Sequence, residues 1–157
     1  MVSERKEIKQ EEGGLAGATV TAGRVRGVQV YRLPVFEDER GKLTVGEFGE
    51  FLPFVPMRYF ITYQVPGAYV RGEHAHRTCA QFLTCVHGAC TVSVDDGTHR
   101  ETYRLDDPRV GVLVPPGVWA AEYDHTADSM LVVFASHAYD ADDYVRDYAI
   151  FLTEVRW

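Results

Sequence analysis

The chain has 157 residues, a length that suits a single domain with a hydrophobic core of its own. Its hydrophobic fraction of 46% and charged fraction of 25% are ordinary, and its net charge of −7 is spread along the chain, which argues against general attraction to nucleic acid or membranes. No stretch approaches the roughly 20 apolar residues of a membrane span, and residues 1–12 lack the apolar core of a signal peptide. We therefore expect a cytoplasmic protein with no nucleic-acid or membrane partner.

The first 24 residues differ in composition from the rest of the chain. They are rich in Glu, Lys, Gly and Ala, and they show no apolar periodicity that would fix them to a core. We predict a flexible leader at residues 1–24 and one folded domain at residues 25–157.

From Val25 onward, short apolar runs alternate with turn residues, and many of the runs are rich in Val, Tyr, Phe and Thr. The predicted strands are residues 28–34, 42–47, 58–63, 81–87, 91–94, 101–105, 110–114 and 130–135. The pair Asp96-Gly97 predicts a hairpin between two of them. Many short strands at this spacing predict an all-β sandwich or barrel.

The C-terminal segment has a different pattern. Residues 140–153 begin with acidic side chains and then carry large apolar ones at intervals compatible with a helix. We predict a short C-terminal helix or turn that packs on the barrel.

Two groups of residues have the spacing of a metal site whose ligands come from two separate sequence motifs. The first is RGEHAH at residues 71–76 followed by Gln81 and Gly88, and the second is Gly111, Pro115, Gly117 and Ala120. This spacing resembles the two motifs of cupin barrels, where two histidines, a carboxylate and a third histidine bind a divalent ion. Here Gln81 stands at the carboxylate position and Ala120 at the last histidine position. Because an amide and a methyl group cannot replace those ligands, we predict a barrel without a metal or other cofactor.

The two histidines are the predicted catalytic residues. Side chains two apart on a strand share a face, so His74 and His76 project together. An imidazole, with an unperturbed pKa of about 6.5, takes and returns a proton near neutral pH. Arg71 and Arg58 are candidates for binding a diphosphate, because a guanidinium matches the geometry of phosphate oxygens.

Large aromatic side chains are further candidates for binding substrate. Phe60, Tyr63, Trp119 and Tyr123, together with Tyr59, have the flat faces that stack on a base or a sugar, although a small barrel also needs such side chains to fill its core. The three cysteines form no C-x2-C pair, which predicts reduced thiols packed in or beside strands.

Several segments in order resemble the sugar-nucleotide 3,4-ketoisomerases, the WxcM-like branch of the cupins. They are residues 71–76 (RGEHAH), 81–85 (QFLTC) with Gly88, 94–97 (VDDG), 114–119 (VPPGVW), 131–136 (LVVFAS), and 139–140 (YD) leading to 143–148 (DYVRDY). The resemblance covers nearly everything from Val28 to Phe151. It implies a cupin (jelly-roll) fold, no metal, and a homodimer with exchanged N-terminal strands.

The resemblance also implies an activity and roles for residues. Such enzymes convert dTDP-4-keto-6-deoxyglucose into a 3-keto-6-deoxy sugar nucleotide, which a later aminotransferase turns into a 3-amino sugar. His74 and His76 are then the acid/base pair, without a decision on which acts at which carbon. Arg71 is a contact to the diphosphate or sugar, and Gln81 is a hydrogen-bond partner near the sugar.

Two positions depart from the family pattern, and they leave alternatives open. Phe60 stands where the family commonly has a tyrosine, and Ala120 where relatives often have histidine or arginine. A phenyl ring cannot donate a hydrogen bond to a ketone oxygen. The alternatives are a 3-epimerase on the same substrate class, a catalytically weak sugar-nucleotide binding subunit, and a metal-dependent cupin oxygenase.

Overall fold

A computed structural model of the protein describes residues 18–49 and 52–155. The strands are β1 (Thr19–Ala22), β2 (Gln29–Arg32), β3 (Val35–Asp38), β4 (Gly41–Thr44), β5 (Arg58–Tyr63), β6 (Arg71–His76), β7 (Gln81–His87), β8 (Cys90–Asp95), β9 (Arg100–Leu105), β10 (Val110–Val114), β11 (Trp119–Tyr123), β12 (Met130–Ala135) and β13 (Tyr144–Val145). A 3₁₀ turn at Ala141–Asp143 precedes β13, and one helix, α1 (Tyr148–Glu154), follows it. Within the described part of the chain, no helix is long and apolar enough to cross a membrane.

The strands form two large antiparallel sheets and a small one. The six-stranded sheet has the order β1-β2-β10-β7-β12-β5, the five-stranded sheet has the order β13-β6-β11-β8-β9, and β3 pairs with β4. Buried side chains from both large sheets share one apolar cluster, which includes Leu83 and Val133 from the first sheet and Val92 and Ala120 from the second. This arrangement is the all-β jelly-roll barrel with a short C-terminal helix that the sequence predicted.

The predicted strands agree closely with the structure where the apolar pattern is strong. The bounds of β5, β7, β10 and β12 are those predicted, and Gly97 has the positive φ of 84° expected in the turn between β8 and β9. The prediction missed β1, β3, β11 and β13. Part of the predicted leader, residues 1–17, lies outside the described residues, whereas Thr19–Ala22 pair with β2 as an edge strand whose side chains are all exposed. A strand without a buried face gives no apolar periodicity to detect.

A glycine allows the six-stranded sheet to pack tightly. A Cβ atom at Gly111 would lie 2.0 Å from Cζ of Phe82, so no side chain fits there. Phe82 fills that space and packs edge to face on Tyr31, with 5.5 Å between ring centroids. The Gly111 that the cupin-like spacing singled out is therefore required by packing.

The C-terminal segment packs on the outer face of the five-stranded sheet. Phe151 of α1 joins Ala75 and Val145 in a separate apolar cluster, and Trp119 packs against that cluster. Asp147 caps α1 by accepting hydrogen bonds from the two backbone amides of Ala149 and Ile150 at 2.8 and 3.0 Å. The predicted helix or turn is thus divided into a 3₁₀ turn, a short strand and a helix, and this division sets the position of the residues just before α1.

Candidate active site

The two histidines lie on β6, next to a bulge in its pairing with β11. His74 lies opposite Ala120, but the next pair is Gly72 with Ala121, so Glu73 is an extra residue on β6 and has a φ of +56°. The rings of His74 and His76 lie 5.0 Å apart and nearly perpendicular. The prediction that the two imidazoles project together is confirmed by this geometry.

His76 is held by a carboxylate. Its Nδ1 lies 2.7 Å from Oδ2 of Asp143, and both side chains are buried. Oδ1 of Asp143 accepts hydrogen bonds from the backbone amide and the hydroxyl of Thr78, each at 2.7 Å, and Oδ2 also accepts from the backbone amide of Cys79 at 3.3 Å. Burial by itself would raise the pKa of Asp143, but the hydrogen bonds from Thr78 and His76 outweigh it and hold that pKa at about 2. Asp143 is therefore ionised and accepts the proton on Nδ1 of His76.

The second nitrogen of His76 faces an amide. Nε2 of His76 lies 3.1 Å from Nε2 of Gln81, which donates to it. Because Nδ1 carries the proton, Nε2 holds the lone pair and is the nitrogen able to act as a base. The predicted contact residue Gln81 thus lies against the predicted catalytic residue.

Both imidazoles are kept neutral by their surroundings. Burial lowers the pKa of His76, its bond to Asp143 opposes this, and the positive charges of Arg58 and Arg146 lower it further. Burial also lowers the pKa of His74, a hydrogen bond with the backbone of Gly72 opposes this, and His76 and Arg146 lower it further. Near neutral pH each ring is therefore in the form that accepts a proton.

An aromatic residue of β13 contacts both histidines. Tyr144 pairs with His76 across the two strands, and its ring centroid lies 4.3 Å from that of His76 and 4.9 Å from that of His74. The guanidinium of Arg146 lies 4.2 Å from the centroid of Tyr144 on the ring face. Tyr144 therefore packs against both imidazoles at a tilt, with Arg146 on its ring face.

The structure brings some of the other predicted site residues to the barrel interior. Phe60 is half-buried on the inward face of β5 and packs against the main apolar cluster, and the guanidinium of Arg58 lies 5.5 Å from the centroid of its ring. Because β5 pairs with β12 without a register shift, Tyr59 and Tyr63 face outward and are exposed. Neither tyrosine replaces the phenol that Phe60 lacks.

The remaining predicted residues do not join the histidines. Trp119 and Tyr123 lie on the face of β11 opposite to the buried Ala120, and the Trp119 ring packs on Tyr148 with 5.2 Å between centroids. Arg71 is exposed at the start of β6, beside a recess that the β5–β6 loop forms. That recess is lined by Tyr63, Gln64, Val65, Pro66, Tyr69, Val70 and Arg71.

Three residues around the histidines were not predicted from sequence. Asp143, Tyr144 and Arg146 lie about 70 residues beyond β6 in the chain, and they reach the site because β13 pairs with β6. The segment DYVRDY that holds them is one of the segments that resemble the 3,4-ketoisomerase family. That resemblance is the one sequence signal that could have marked these three residues as part of the site. The acidic start of residues 140–153 instead favours a helix or turn in this part of the chain.

The positions that bind metal in cupins carry an incomplete set of donors in this chain. Ala120 faces His74 and Gln81 contacts His76, so two imidazoles are the only strong donors at these four positions. Among the described residues, His76, Cys79 and Asp143 each place one donor atom within 4.8 Å of the others. These donors are already engaged, since the Cys79 thiol donates to the Ala80 carbonyl at 3.4 Å and the other two bond each other.

Comparisons with known proteins agree with this geometry. The family model described as "FdtA: WxcM-like, C-terminal" matches residues 26–156. The TDP-4-oxo-6-deoxy-alpha-D-glucose-3,4-oxoisomerase of Aneurinibacillus thermoaerophilus is 39% identical over 111 residues, which cover 71% of this chain and 80% of that protein.

Solved structures of ketoisomerases share the fold. A variant of the 3,4-ketoisomerase QdtA from Thermoanaerobacterium thermosaccharolyticum, in complex with TDP-4-keto-6-deoxyglucose, superposes with a TM-score of 0.81 at 29% identity, covering 84% of this chain and 96% of that one. The TDP-quinovose 3,4-ketoisomerase WlaRB of Campylobacter jejuni has a TM-score of 0.78 at 29% identity, covering 82% of this chain and 99% of that one. The chain belongs to the FdtA, WxcM-like family of sugar-nucleotide 3,4-ketoisomerases within the cupins.

Proposed function

We propose that this protein is a metal-independent 3,4-ketoisomerase that moves the keto group of a dTDP-4-keto-6-deoxyhexose from carbon 4 to carbon 3, in the biosynthesis of deoxyamino sugars. The observation that carries the proposal is the buried pair of His76 and Asp143, with the ring centroid of His74 5.0 Å from that of His76. It supplies a neutral base held in one tautomer and a second imidazole beside it.

The reaction is an internal oxidation and reduction in which no atom is gained or lost. A base removes the proton on carbon 3, and the electrons of that bond form a carbon 3–carbon 4 double bond while the carbon 4 oxygen takes a proton. The enediol then loses the proton on the carbon 3 oxygen, and an acid delivers a proton to carbon 4. Two imidazoles on one face can divide these transfers.

The surroundings of His76 fit the role of base. Nε2 is the unprotonated nitrogen, and the carboxylate of Asp143 stabilises the imidazolium that forms when Nε2 takes a proton. We assign His74 as its acid/base partner, and Gln81 as a hydrogen-bond donor beside the reacting carbons. The departure at Phe60 removes a phenol from β5, and Tyr144 is the phenol nearest to the histidines among the described contacts.

Positive charge near the histidines suits an anionic substrate. Arg58 and Arg146 both act electrostatically on His76, and Nε of Arg58 is buried without a hydrogen-bond partner among the described residues. A guanidinium in such a place stabilises the negative charge of an enediolate or of a diphosphate. We propose that Arg58 and Arg146 stabilise the negative charge that develops on the reacting sugar, and that the exposed Arg71 binds the diphosphate.

We also propose a cytoplasmic homodimer with exchanged N-terminal strands. The outer face of β5, a strand at the edge of the six-stranded sheet, exposes Tyr59, Ile61 and Tyr63. An exposed apolar edge favours addition of a strand from a second subunit. Sedimentation should give a dimer, Ile61→Lys should shift it to monomer, and a chain that starts at Val25 should dimerise more weakly.

The described cysteines are free thiols, which suits the cytoplasm, and cell fractionation tests that location.

The test of the activity is proton NMR of dTDP-4-keto-6-deoxyglucose with this protein in deuterated buffer. A 3-keto product with deuterium at carbon 4, absent with His76→Asn, is the expected result, and it gives the configuration at carbon 4. Deuterium at carbon 3 without a new ketone would instead identify a 3-epimerase. An unchanged spectrum together with saturable binding would identify a binding subunit.

A further inference from the structure

A carboxylic acid lies inside the barrel and has no role in the chemistry above. Glu122 is on β11, two residues after Ala120, and both side chains are buried on the same face of the strand. Ala120 belongs to the apolar cluster between the two sheets and lies opposite His74. Glu122 therefore lines the same interior wall as His74, about 7 Å further along the strand.

The environment of Glu122 is unusual for a carboxyl group. It is 9% exposed, and no described residue donates a hydrogen bond to its side chain or forms an ion pair with it within 4.0 Å. Arg71 lies opposite it on β6 but is exposed, and its positive charge opposes the effect of burial without cancelling it. Burial raises the pKa of Glu122 to about 7. A buried carboxyl without a partner costs stability, which is typical of a group kept for a ligand.

The chain leaves space for this carboxyl group next to β6. Gly72 lies beside it with a φ of +74°, and a Cβ atom there would be 3.0 Å from both oxygens of Glu122. On the inward face of β5, Oγ1 of Thr62 is buried without a hydrogen-bond partner among the described residues. The seven-residue loop between β5 and β6 brings the end of β5 and the start of β6 to one rim, where Tyr63 and Arg71 line a common recess.

We propose that Glu122 forms a subsite that accepts a hydrogen bond from the hydroxyl group on carbon 2 of the hexose. The inference rests on the proposed function, because that function fixes which hydroxyl remains. In a 4-keto-6-deoxyhexose, carbon 1 carries the diphosphate, carbons 3 and 4 react at the histidines, and carbon 6 is a methyl group. The carbon 2 hydroxyl is then the one hydroxyl that stays unchanged through the reaction. Glu122 is thus a specificity residue for sugars that keep this hydroxyl.

The test compares two substrates on two proteins. The substrates are dTDP-4-keto-6-deoxyglucose and its 2-deoxy analogue, and the proteins are the wild type and Glu122→Met, which keeps the side-chain length and removes the acceptor. We expect Glu122→Met to lower kcat/KM about tenfold or more for the hydroxylated substrate and less than about twofold for the 2-deoxy analogue. Glu73→Met, the same change at the exposed bulge residue, should leave both values unchanged.

Other outcomes would overturn the inference. An equal loss for both substrates, or no loss for either, would mean that Glu122 does not recognise the carbon 2 hydroxyl. If the wild type turns over neither substrate, the proposed function fails. The same four-way comparison of dissociation constants then tests the subsite alone, with a selective loss of affinity for the hydroxylated ligand as the supporting result.

Discussion

Nδ1 of His76 lies 2.7 Å from Oδ2 of Asp143, a residue 67 positions later in the chain. Two hydrogen bonds from Thr78 hold the other oxygen of that carboxylate, so the imidazole has one orientation and one tautomer. A base held in this way needs little reorganisation when it takes a proton. The first predictions concern this pair and the residues that touch it.

Removal of the charge on Asp143 should disable the base. In Asp143→Asn the amide offers a donor to Nδ1 of His76, which favours the tautomer whose Nε2 carries the proton. We expect kcat to fall by about 10²- to 10⁴-fold, measured by NMR or a coupled aminotransferase assay. Asp142→Asn is the matched control. Asp142 is the neighbour of Asp143 in the chain, and its side chain is exposed and should tolerate the change. Equal losses in the two variants would contradict a specific role for Asp143.

Replacement of Gln81 by a carboxylate should change the pH dependence of the reaction. In the wild type the pKa of His76 is below its ordinary value of 6.5, so the base form persists and kcat/KM falls only at more acidic pH. In Gln81→Glu a negative charge faces Nε2 of His76, favours the imidazolium and raises this pKa. The acidic limb of the pH profile should move to higher pH, with a loss of about tenfold or more at pH 6.5. A profile that coincides with the wild type would exclude His76 as the titrating base.

The ring of Tyr144 should matter more than its hydroxyl group. Its contacts with His74 and His76 are made by the ring, at centroid distances of 4.9 and 4.3 Å. We expect Tyr144→Leu to lower kcat about tenfold by loosening both imidazoles, whereas Tyr144→Phe keeps most of the activity. If Tyr144→Phe loses as much as Tyr144→Leu, the phenol itself takes part in proton transfer, in the place of the hydroxyl that Phe60 lacks.

Glu122 should make the stability of the protein depend on pH. Its pKa is raised from 4.5 to about 7 in the folded protein. At low pH the carboxyl group is therefore protonated in both the folded and the unfolded chain, and no buried charge reduces the free energy of unfolding. As the pH rises toward 7, the unfolded chain releases this proton while the folded protein retains it, so stability falls with pH.

The measurement is the free energy of unfolding by urea for the wild type and Glu122→Gln across this range. Between pH 4 and pH 8, the unfolding free energy of Glu122→Gln should rise by about 3 kcal/mol relative to that of the wild type. A difference that is constant with pH would show that Glu122 is solvated in the folded protein.

The sequence by itself determined the strands with a strong apolar pattern and the pairing of the two imidazoles on one face. The runs that became β5, β7, β10 and β12 have a strong local apolar pattern, and a period of two on a strand is sufficient to place His74 and His76 on one face. The cupin-like spacing further indicated that Gln81 and Ala120 would lie around those histidines, and both do. These properties depend on neighbours in the chain, which a sequence displays directly.

Only the tertiary structure decided which distant residues complete the site and which way β11 faces. Asp143 and Tyr144 reach His76 through the pairing of a two-residue strand, too short to have a pattern. On β11 the large Trp119 faces α1 while Glu122 faces the interior, the reverse of what polarity suggests, because α1 covers the outer face. Such choices follow from long-range packing, in which the burial of one face depends on elements far away in the chain.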